Sequence, residues 1–273
     1  MTSPSATQDL RFAFGANWSR FLACVDDRRI KAAEDSLIEM IGSSNAIEGR
    51  TFLDAGSGSG LFSLAAARLG ASRVHSFDYD ANSVATTAEM RRRFGPPNAA
   101  WTIERGDVLD RDYVAGLGTW DVVYSWGVLH HTGRMWDAIA NACGLVAEHG
   151  ILFIAIYNDQ GWKTRLWHGV KRLYGGSAIG KAAVLATFVP WWTVSIAVRD
   201  LLRFRNPRSR YREYRSERGM SILHDWIDWL GGYPFEAATP DAILRFVTER
   251  GFSLRNLLTT AELGCNQFVF DRQ

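Results

Sequence analysis

The sequence predicts an α/β fold: a mostly parallel, seven-stranded sheet with an antiparallel last strand, and a mainly helical insertion after the fifth strand. Two observations support this prediction. Short apolar segments alternate with segments of helical periodicity over the first 156 residues, which is typical of a parallel sheet with helical crossovers. In addition, residues 163–218 hold 13 Lys or Arg and 3 Asp or Glu, whereas the rest of the chain holds 18 and 26. This change in charge marks the insertion.

The overall composition is that of an ordinary globular protein. With 273 residues, 47% of them hydrophobic, the chain can bury a full core as one domain that carries an insertion. Its three cysteines, Cys24, Cys143 and Cys265, are widely separated and lack the spacing of metal ligands, so neither a disulfide framework nor a metal site is predicted. The first residues show no basic stretch followed by an apolar one, and we expect a cytoplasmic protein.

The elements of the sheet follow one another in regular order. Apolar positions at helical spacing predict a first helix over residues 26–41. Strands are predicted for the apolar run that begins at Thr51 and for residues 73–78, 101–105, 122–125 and 151–156. Helices are predicted between them at residues 83–94 and 135–147. The last of the five strands is almost continuously apolar, as expected of a strand that is covered on both faces.

The sheet resumes after the insertion. Thr239, Pro240 and Asp241 form a typical helix start, and Gly251 is the expected end of that helix. Residues 252–259 and 266–271 then predict two strands that pair antiparallel through a turn at Gly264. The predicted domains are therefore residues 1–156 with 236–273, and the insertion at residues 157–235.

A glycine-rich turn, LDAGSGSG, occupies residues 53–60 after the first strand. Its glycines are Gly56, Gly58 and Gly60, and Leu61 stands where the dinucleotide-binding fingerprint has its third glycine. Asp54 would repel a pyrophosphate but would attract an ammonium or sulfonium group. The pattern therefore favours a cationic ligand over a dinucleotide.

Several motifs occur in order: LDAGSGSG, the acid of SFDYD that ends the second strand, the pair Gly106-Asp107, and YSWGVLHH after the fourth strand. Together they resemble the class I S-adenosylmethionine-dependent methyltransferases over residues 48–156 and 239–273. The resemblance implies a Rossmann-like sheet and S-adenosylmethionine as cofactor. It implies contacts by the loop glycines beneath the cofactor (Gly56, Gly58, Gly60), by Asp54 near its amino acid end, by Asp78 and the adjoining Tyr79 at the ribose, by Asp107 and Val108 at the adenine, and by Ser125 and Trp126 beside the methionine part.

Catalytic and substrate candidates lie next to these motifs. His130 and His131 follow the fourth strand, where a neutral imidazole can take a proton from an acceptor hydroxyl or amine, or can serve packing alone. Asn17 and Trp18 belong to an aromatic N-terminal segment that either lines the site or docks on the core. Further substrate candidates are Tyr157 and Tyr233.

The insertion holds six of the eleven tryptophans and allows three interpretations: a cap over the site, a basic surface on anionic lipid or a lipid-linked substrate, or a nucleic-acid face. Residues 182–198 carry no charge, but they include Pro190 and are shorter than a membrane span, so a buried or interfacial hairpin is predicted. In the preceding segment, Trp162, Leu166, Val170 and Leu173 are predicted to share one helix face.

These observations predict an enzyme that transfers a methyl group to oxygen or nitrogen of a small molecule, with a sugar or an anionic intermediate as candidates. Alternatives are an acceptor at the membrane surface, a cofactor-binding protein without catalysis, and a nicotinamide-dependent oxidoreductase, which Leu61 disfavours. A nucleic-acid acceptor is disfavoured because residues 125–128 lack the signature of amino methylases, and Cys143 follows Ala142 instead of the proline of cytosine-C5 enzymes. Peripheral membrane contact stays open, and the sequence does not predict an oligomeric state.

Overall fold

The computed structural model describes Trp18 and residues 21–203, 226, 229–262 and 264–273. Its strands are β1 (Thr51–Ala55), β2 (Arg73–Asp78), β3 (Trp101–Arg105), β4 (Trp120–Trp126), β5 (Val146–Tyr157), β6 (Phe252–Leu258) and β7 (Cys265–Arg272). Its helices are α1 (Asp27–Ile41), α2 (Leu61–Arg68), α3 (Ala81–Phe94), α4 (Arg111–Gly116), α5 (Met135–Gly144), α6 (Trp162–Gly176), α7 (Ala178–Leu202) and α8 (Pro240–Thr248). Short 3₁₀ turns cover Ser44–Ala46 and Leu129–His131.

The seven strands form one sheet in the order β3-β2-β1-β4-β5-β7-β6. The pairs from β3 to β5 are parallel, whereas β7 runs antiparallel to both β5 and β6. This confirms the predicted fold class. Because β1 lies next to β4, the strand order reverses there, which is where open α/β sheets bind their ligands.

The sheet is covered on both faces. One core contains Phe52 with apolar residues of α1, α2 and α3. The other contains Leu53 with residues of α4, α5 and α8. Successive residues of β1 therefore point to opposite helical layers, as the two-residue period of a strand requires.

The chain divides into two compact units. The sheet unit consists of Gly15–Thr164 and Glu236–Gln273, and the helical unit contains Arg165–Phe235. The domain boundaries at residues 157 and 235 stay a prediction.

The sheet unit closes where the insertion leaves and re-enters it. Asn158 forms a parallel bridge with Ala238. The Ala238 N–H donates to the Tyr157 carbonyl at 3.0 Å, and the Asp159 N–H donates to the Ala238 carbonyl at 3.1 Å. The two ends of the insertion are thus joined by hydrogen bonds.

Three local predictions differ from the structure. The helix predicted at residues 135–147 ends at Gly144, because Val146 already pairs with Trp120 as the first residue of β5. Residues 182–198 form no hairpin: they belong to the continuous 25-residue helix α7, in which Pro190 removes a single backbone donor. Nor is this helix buried, since only Gly180, Val184 and Asp200 are.

The predicted apolar face of α6 is mostly not the face that packs. Val170 packs with Trp167 against Tyr174, Val184 and Leu230. The other members of that face, Trp162, Leu166 and Leu173, are exposed. The packing of aromatic side chains, which helical periodicity does not report, selects the buried face.

Candidate functional site

The carboxyl ends of β1, β2, β3 and β4 bring most of the sequence-predicted site residues to one edge of the sheet. Gly56 follows β1, Asp78 ends β2, Asp107 lies two residues after β3, and Trp126 ends β4. Backbone hydrogen bonds tie the loops together, because the Gly56 N–H donates to the Phe77 carbonyl and the Gly106 N–H donates to the Asp78 carbonyl. The predicted grouping of these residues follows directly from the parallel order of the strands.

The glycine-rich loop has little room for side chains. Gly56 has φ of +87°, and a Cβ atom there would lie 2.5 Å from Cγ1 of Val128. Gly58 has φ of +54°, and a Cβ atom there would lie 3.0 Å from the Trp18 indole. Gly60 precedes α2 as its N-cap residue. Glycine is therefore required at Gly56 and Gly58 by both backbone conformation and packing.

Trp18 lies against this loop, at the place from which a substrate or cofactor contact is possible. Its ring also meets the Phe21 ring edge-on at 6.2 Å. Asn17, the other candidate of this segment, lies outside the described residues.

Asp78 links the end of β2 to the loop. Its Oδ2 accepts the Gly58 N–H at 2.9 Å, and its Oδ1 accepts the Asp80 N–H at 2.9 Å. Burial raises the pKa of the Asp78 carboxyl, while these backbone donors act in the opposite direction. Each carboxylate oxygen can accept a further hydrogen bond, so Asp78 is able to hold two hydroxyl groups.

The neighbouring β3 end supplies the second acid. The Asp107 Oδ1 accepts the Leu109 N–H at 2.9 Å, whereas Val108 is buried and its carbonyl accepts from Asn141. Tyr79 is exposed, and the Arg105 guanidinium lies 5.5 Å from the centre of its ring. The adenine and ribose contacts implied for these residues stay predictions.

Asp54 is buried at the end of a chain of donors. The Trp101 indole N–H donates to Ser76 at 2.7 Å, Ser76 donates to Ser63 at 2.7 Å, and Ser63 donates to the Asp54 carboxylate at 2.5 Å. Burial raises the pKa of Asp54 to about 7, and the Ser63 donor opposes this shift. The acid is therefore poised between its two protonation states near neutral pH.

Ser125 and Trp126 end β4 in different environments. The Ser125 hydroxyl is fully buried and donates to the Ala55 carbonyl at 2.7 Å, so it links β4 to β1. Trp126 is exposed at the strand end. Trp126 is consequently the better placed of the two to contact a ligand with its side chain.

The two histidines lie on the 3₁₀ turn after β4. The His130 ring is fully buried, 4.1 Å from the Tyr157 ring and 4.5 Å from the His131 ring. The His130 carbonyl accepts the Glu236 N–H, and Glu236 in turn accepts the Met135 N–H. His131 is partly exposed and meets the Tyr157 ring edge-on at 5.5 Å. Only His131 of this pair has a side chain that solvent reaches.

The helical unit contains Tyr233 and an unexpected buried cation. Tyr233 is nearly buried, with the His168 ring at 5.8 Å. Lys171 is fully buried, donates to the Trp229 carbonyl and lies 4.4 Å from the Trp229 ring and 5.0 Å from the Phe235 ring. Burial lowers the pKa of Lys171 to about 7.

Other features carry less chemistry. Cys143 is buried in the core, and burial raises the pKa of its thiol to about 12. Within the described residues, no three His, Cys, Asp or Glu side chains are grouped so that they could hold a metal ion. A surface pocket of about 240 Å³ between Trp136 and α8 contains none of the predicted site residues.

Comparison with known proteins agrees with this geometry. Residues 53–152 match the family model described as a methyltransferase domain. A stretch of 64 residues is 39% identical to the ribosomal protein L11 methyltransferase of Anoxybacillus flavithermus, and the chain spans 20% of that relative's length. This stretch is 23% of the present chain.

Two solved structures show the fold over nearly all of the chain. Magnesium protoporphyrin IX methyltransferase from Synechocystis, with bound S-adenosylmethionine, has a TM-score of 0.57 and 13% identity over 100% of both chains. The N-methyltransferase NodS from Bradyrhizobium japonicum has a TM-score of 0.50 and 13% identity over 90% of this chain and 98% of its own.

Residues 53–152 are therefore similar to a methyltransferase domain, and the two solved structures share its fold. The matched family model and the shared fold support the predicted family, enzyme class and S-adenosylmethionine cofactor. The individual residue roles within the domain stay predictions.

Sequence reasoning missed three buried polar residues of the two units. Ser63 interrupts the apolar helix LFSLAAAR, and a polar residue at a core position is a signal for a buried partner such as Asp54. Ser76 could have been found in the same way within β2. Lys171 gave no signal, because lysine is normally exposed and only tertiary packing buries it.

Proposed function

We propose that this protein transfers a methyl group from S-adenosylmethionine to an oxygen or nitrogen atom of a small molecule. When bound, the cofactor supplies the methyl group as an electrophile on a positively charged sulfur. The carboxylate of Asp78, bonded to the Gly58 N–H, is the observation that carries the proposal. It joins an acceptor of hydroxyl groups to a loop whose glycines allow the positive φ angles of a tight turn.

The residues at this sheet edge have different roles in the proposed reaction. Asp78 and Asp107 bind the cofactor, Asp54 offers negative charge near neutral pH, and Trp126 covers the end of β4. Transfer then needs alignment of the acceptor atom with the methyl group, which positioning alone can accelerate strongly. His131 is the proposed base, because its imidazole is partly exposed beside Tyr157 and can take the proton that an acceptor hydroxyl or amine loses.

A small acceptor is favoured over a nucleobase. Methylation at cytosine C5 needs a reactive thiolate, whereas burial raises the pKa of both the Cys143 and the Cys265 thiol to about 12. We also propose that the protein works in the cytoplasm, in keeping with its three free cysteines.

The Asp78→Ala variant tests the proposal. Loss of a charged acceptor for two hydroxyl groups should cost about 1.5 to 3 kcal/mol of S-adenosylhomocysteine affinity, or roughly tenfold to 150-fold in Kd by calorimetry. Asp110→Ala is the matched control, because Asp110 also accepts backbone N–H groups, as the N-cap of α4. An unchanged Kd in Asp78→Ala would refute the assigned role.

The acceptor itself is found by a separate experiment. Purified protein with methyl-labelled S-adenosylmethionine is incubated with a metabolite extract, and labelled products are separated and identified. Products that carry the label on oxygen or nitrogen support the proposal. Cofactor binding without labelled small molecules would favour a non-catalytic protein or a membrane-bound acceptor.

A further inference from the structure

Helix α7 exposes a continuous apolar face. Its 25 residues extend for about 37 Å, and no charge occurs between Lys181 and Arg199. Within the described part of the chain, it is the helix that is long and apolar enough to cross a membrane. The apolar face of α7 is defined by five exposed apolar side chains that share one side of the helix: Ile179, Trp191, Val194, Val198 and Leu201.

Other side chains of the same helix are already packed. Phe188 and Trp192 pack on Trp167 at 5.2 and 6.3 Å, and Val184, nearer the start of the helix, is buried against Tyr174 and Leu230. Val194, 60% exposed, lies about 120° around the helix from Phe188 and about 160° from Trp192. The apolar face is therefore left over after the helical unit has formed its own core.

The exposed charges of α6 and α7 have one sign. Between residues 165 and 203, every exposed charged side chain is basic: Arg165, Arg172, Lys181, Arg199 and Arg203. The acid of this stretch, Asp200, is buried. In sequence, seven arginines follow Leu202 up to position 218. An apolar helix face with tryptophan and flanking cations has the composition of helices that lie in the surface of anionic bilayers.

Packing argues that α7 lies along a bilayer instead of crossing it. Trp192, in the second half of α7, contacts Trp229 at 5.9 Å, and Trp229 holds Lys171 of α6. A crossing orientation would carry α6, with exposed Arg165 and Arg172, into the hydrocarbon together with the helix. An orientation in the plane leaves these cations at the lipid headgroups.

A second copy of the chain is a poorer occupant. A two-fold interface places the same patch of both subunits together, so the exposed cations of α6 and α7 in one copy would approach those of the other, with no exposed acid of residues 165–203 to pair them. Anionic lipid presents the complementary charge.

We propose that the apolar face of α7 docks on the surface of anionic membranes, with the helix parallel to the bilayer plane. This surface is independent of which acceptor the methyltransferase domain uses. Its ligand is a lipid bilayer with anionic headgroups.

Vesicle flotation of the full chain tests this proposal. The protein should float with vesicles of equal parts phosphatidylcholine and phosphatidylglycerol, and much less with phosphatidylcholine alone. Trp191→Ser combined with Val194→Ser and Leu201→Ser should lower the partition coefficient about tenfold or more, because the inserted apolar area is lost. Lys181→Glu with Arg199→Glu should also lower it about tenfold or more on the anionic vesicles.

Matched controls use the sheet unit. Leu254→Ser with Leu257→Ser and Leu258→Ser removes three other exposed apolar side chains, from β6, and Arg91→Glu with Arg111→Glu reverses two exposed charges. Both controls should float as the wild type does. Circular dichroism and S-adenosylhomocysteine binding establish that each variant is folded.

Three outcomes would overturn the proposal. Wild-type protein that floats with neither vesicle has no such surface. Flotation that both α7 variants retain in full would place membrane binding elsewhere in the chain. A dimer that the apolar-face variant converts to a monomer, without any flotation of the wild type, would identify a second copy as the occupant.

Discussion

Asp54 in the sheet unit and Lys171 in the helical unit are both buried ionisable side chains, yet their surroundings differ. Asp54 accepts from the last of three donors in series, contributed by β2, β3 and α2. Lys171 has a single backbone carbonyl and the faces of two aromatic rings. Directional hydrogen bonds fix the position of the Asp54 carboxyl group, whereas aromatic ring faces can hold the Lys171 ammonium group in many orientations.

The difference indicates which interactions fix the side chains of each unit. The sheet unit holds polar side chains at defined positions, which a binding site requires. The helical unit is packed mainly through indole and phenyl rings, among them Trp167, Phe188, Trp192 and Trp229. Such packing tolerates changes of side chain as long as volume is kept. We therefore expect chemistry to depend on the sheet unit and the helical unit to be more adaptable.

The contrast between the two units would fail if the catalytic base belonged to the helical unit. We predict that His131→Ala lowers kcat by about 10² to 10⁴, because no base then takes the proton of the methyl-accepting group. Cofactor affinity should change little. His168→Ala, on the exposed side of α6, is the matched control and should keep its kcat. Turnover is measured with the acceptor from the labelling screen.

His130→Ala completes this comparison. Because its ring is fully buried against Tyr157, the variant should lower the free energy of unfolding as well as turnover. Loss of activity in His168→Ala alone would move the chemistry to the helical unit.

The Lys171→Met variant tests the contrast through the pH dependence of the free energy of unfolding. The pKa of Lys171 is about 7 in the folded protein and about 10.4 in the unfolded chain, so the unfolded chain binds more protons between these values. The free energy of unfolding that Lys171 controls should therefore rise with pH from 7 to 10, by up to about 4 kcal/mol. Replacement by methionine should abolish this rise.

The measurement is urea unfolding followed by tryptophan fluorescence at several pH values. Lys181→Met is the control, because Lys181 also lies on a ring, 5.4 Å from that of Tyr174, but is exposed. Equal pH profiles for wild type and Lys171→Met would show that the ammonium group is well solvated or well paired.

Ser63→Ala tests the donor series and should have the smallest effect. It leaves the Asp54 carboxylate and the Ser76 hydroxyl each short of a partner, which should cost about 1 to 3 kcal/mol of unfolding free energy. Ser253→Ala, whose hydroxyl accepts from Gln273 at the surface, should cost less than about 0.5 kcal/mol. Similar losses in both variants would remove the distinction between the buried series and an ordinary surface hydroxyl.

The sequence predicted the sheet well because its signals are local. The ranges of β2 and β3 agree with the structure residue for residue, since each segment interleaves apolar and polar residues between turn-forming ones. The end of α5 was wrong because Val146 and Ala147 continue an apolar pattern that suits both a helix and a strand. The motifs at strand ends could be grouped because parallel order alone brings them together.

The helical unit was predicted less well because its packing depends on contacts between residues that are distant in sequence. Nothing in the spacing of Trp167, Val170 and Leu173 reveals which of them meets Trp192 across the unit. The burial of Lys171 likewise depends on Trp229 and Phe235, about 60 positions later. Helical periodicity predicts that a face exists, but not what covers it.

The bridge between Asn158 and Ala238 gives the insertion a property of its own. Since the chain leaves and re-enters the sheet at hydrogen-bonded neighbours, the segment between them can be exchanged without altering any strand. Each doubling of its length would cost only about 0.6 kcal/mol in loop closure. Recombination at these two residues could therefore graft a different helical segment onto the same cofactor-binding sheet, and the protein offers a ready acceptor for such chimeras.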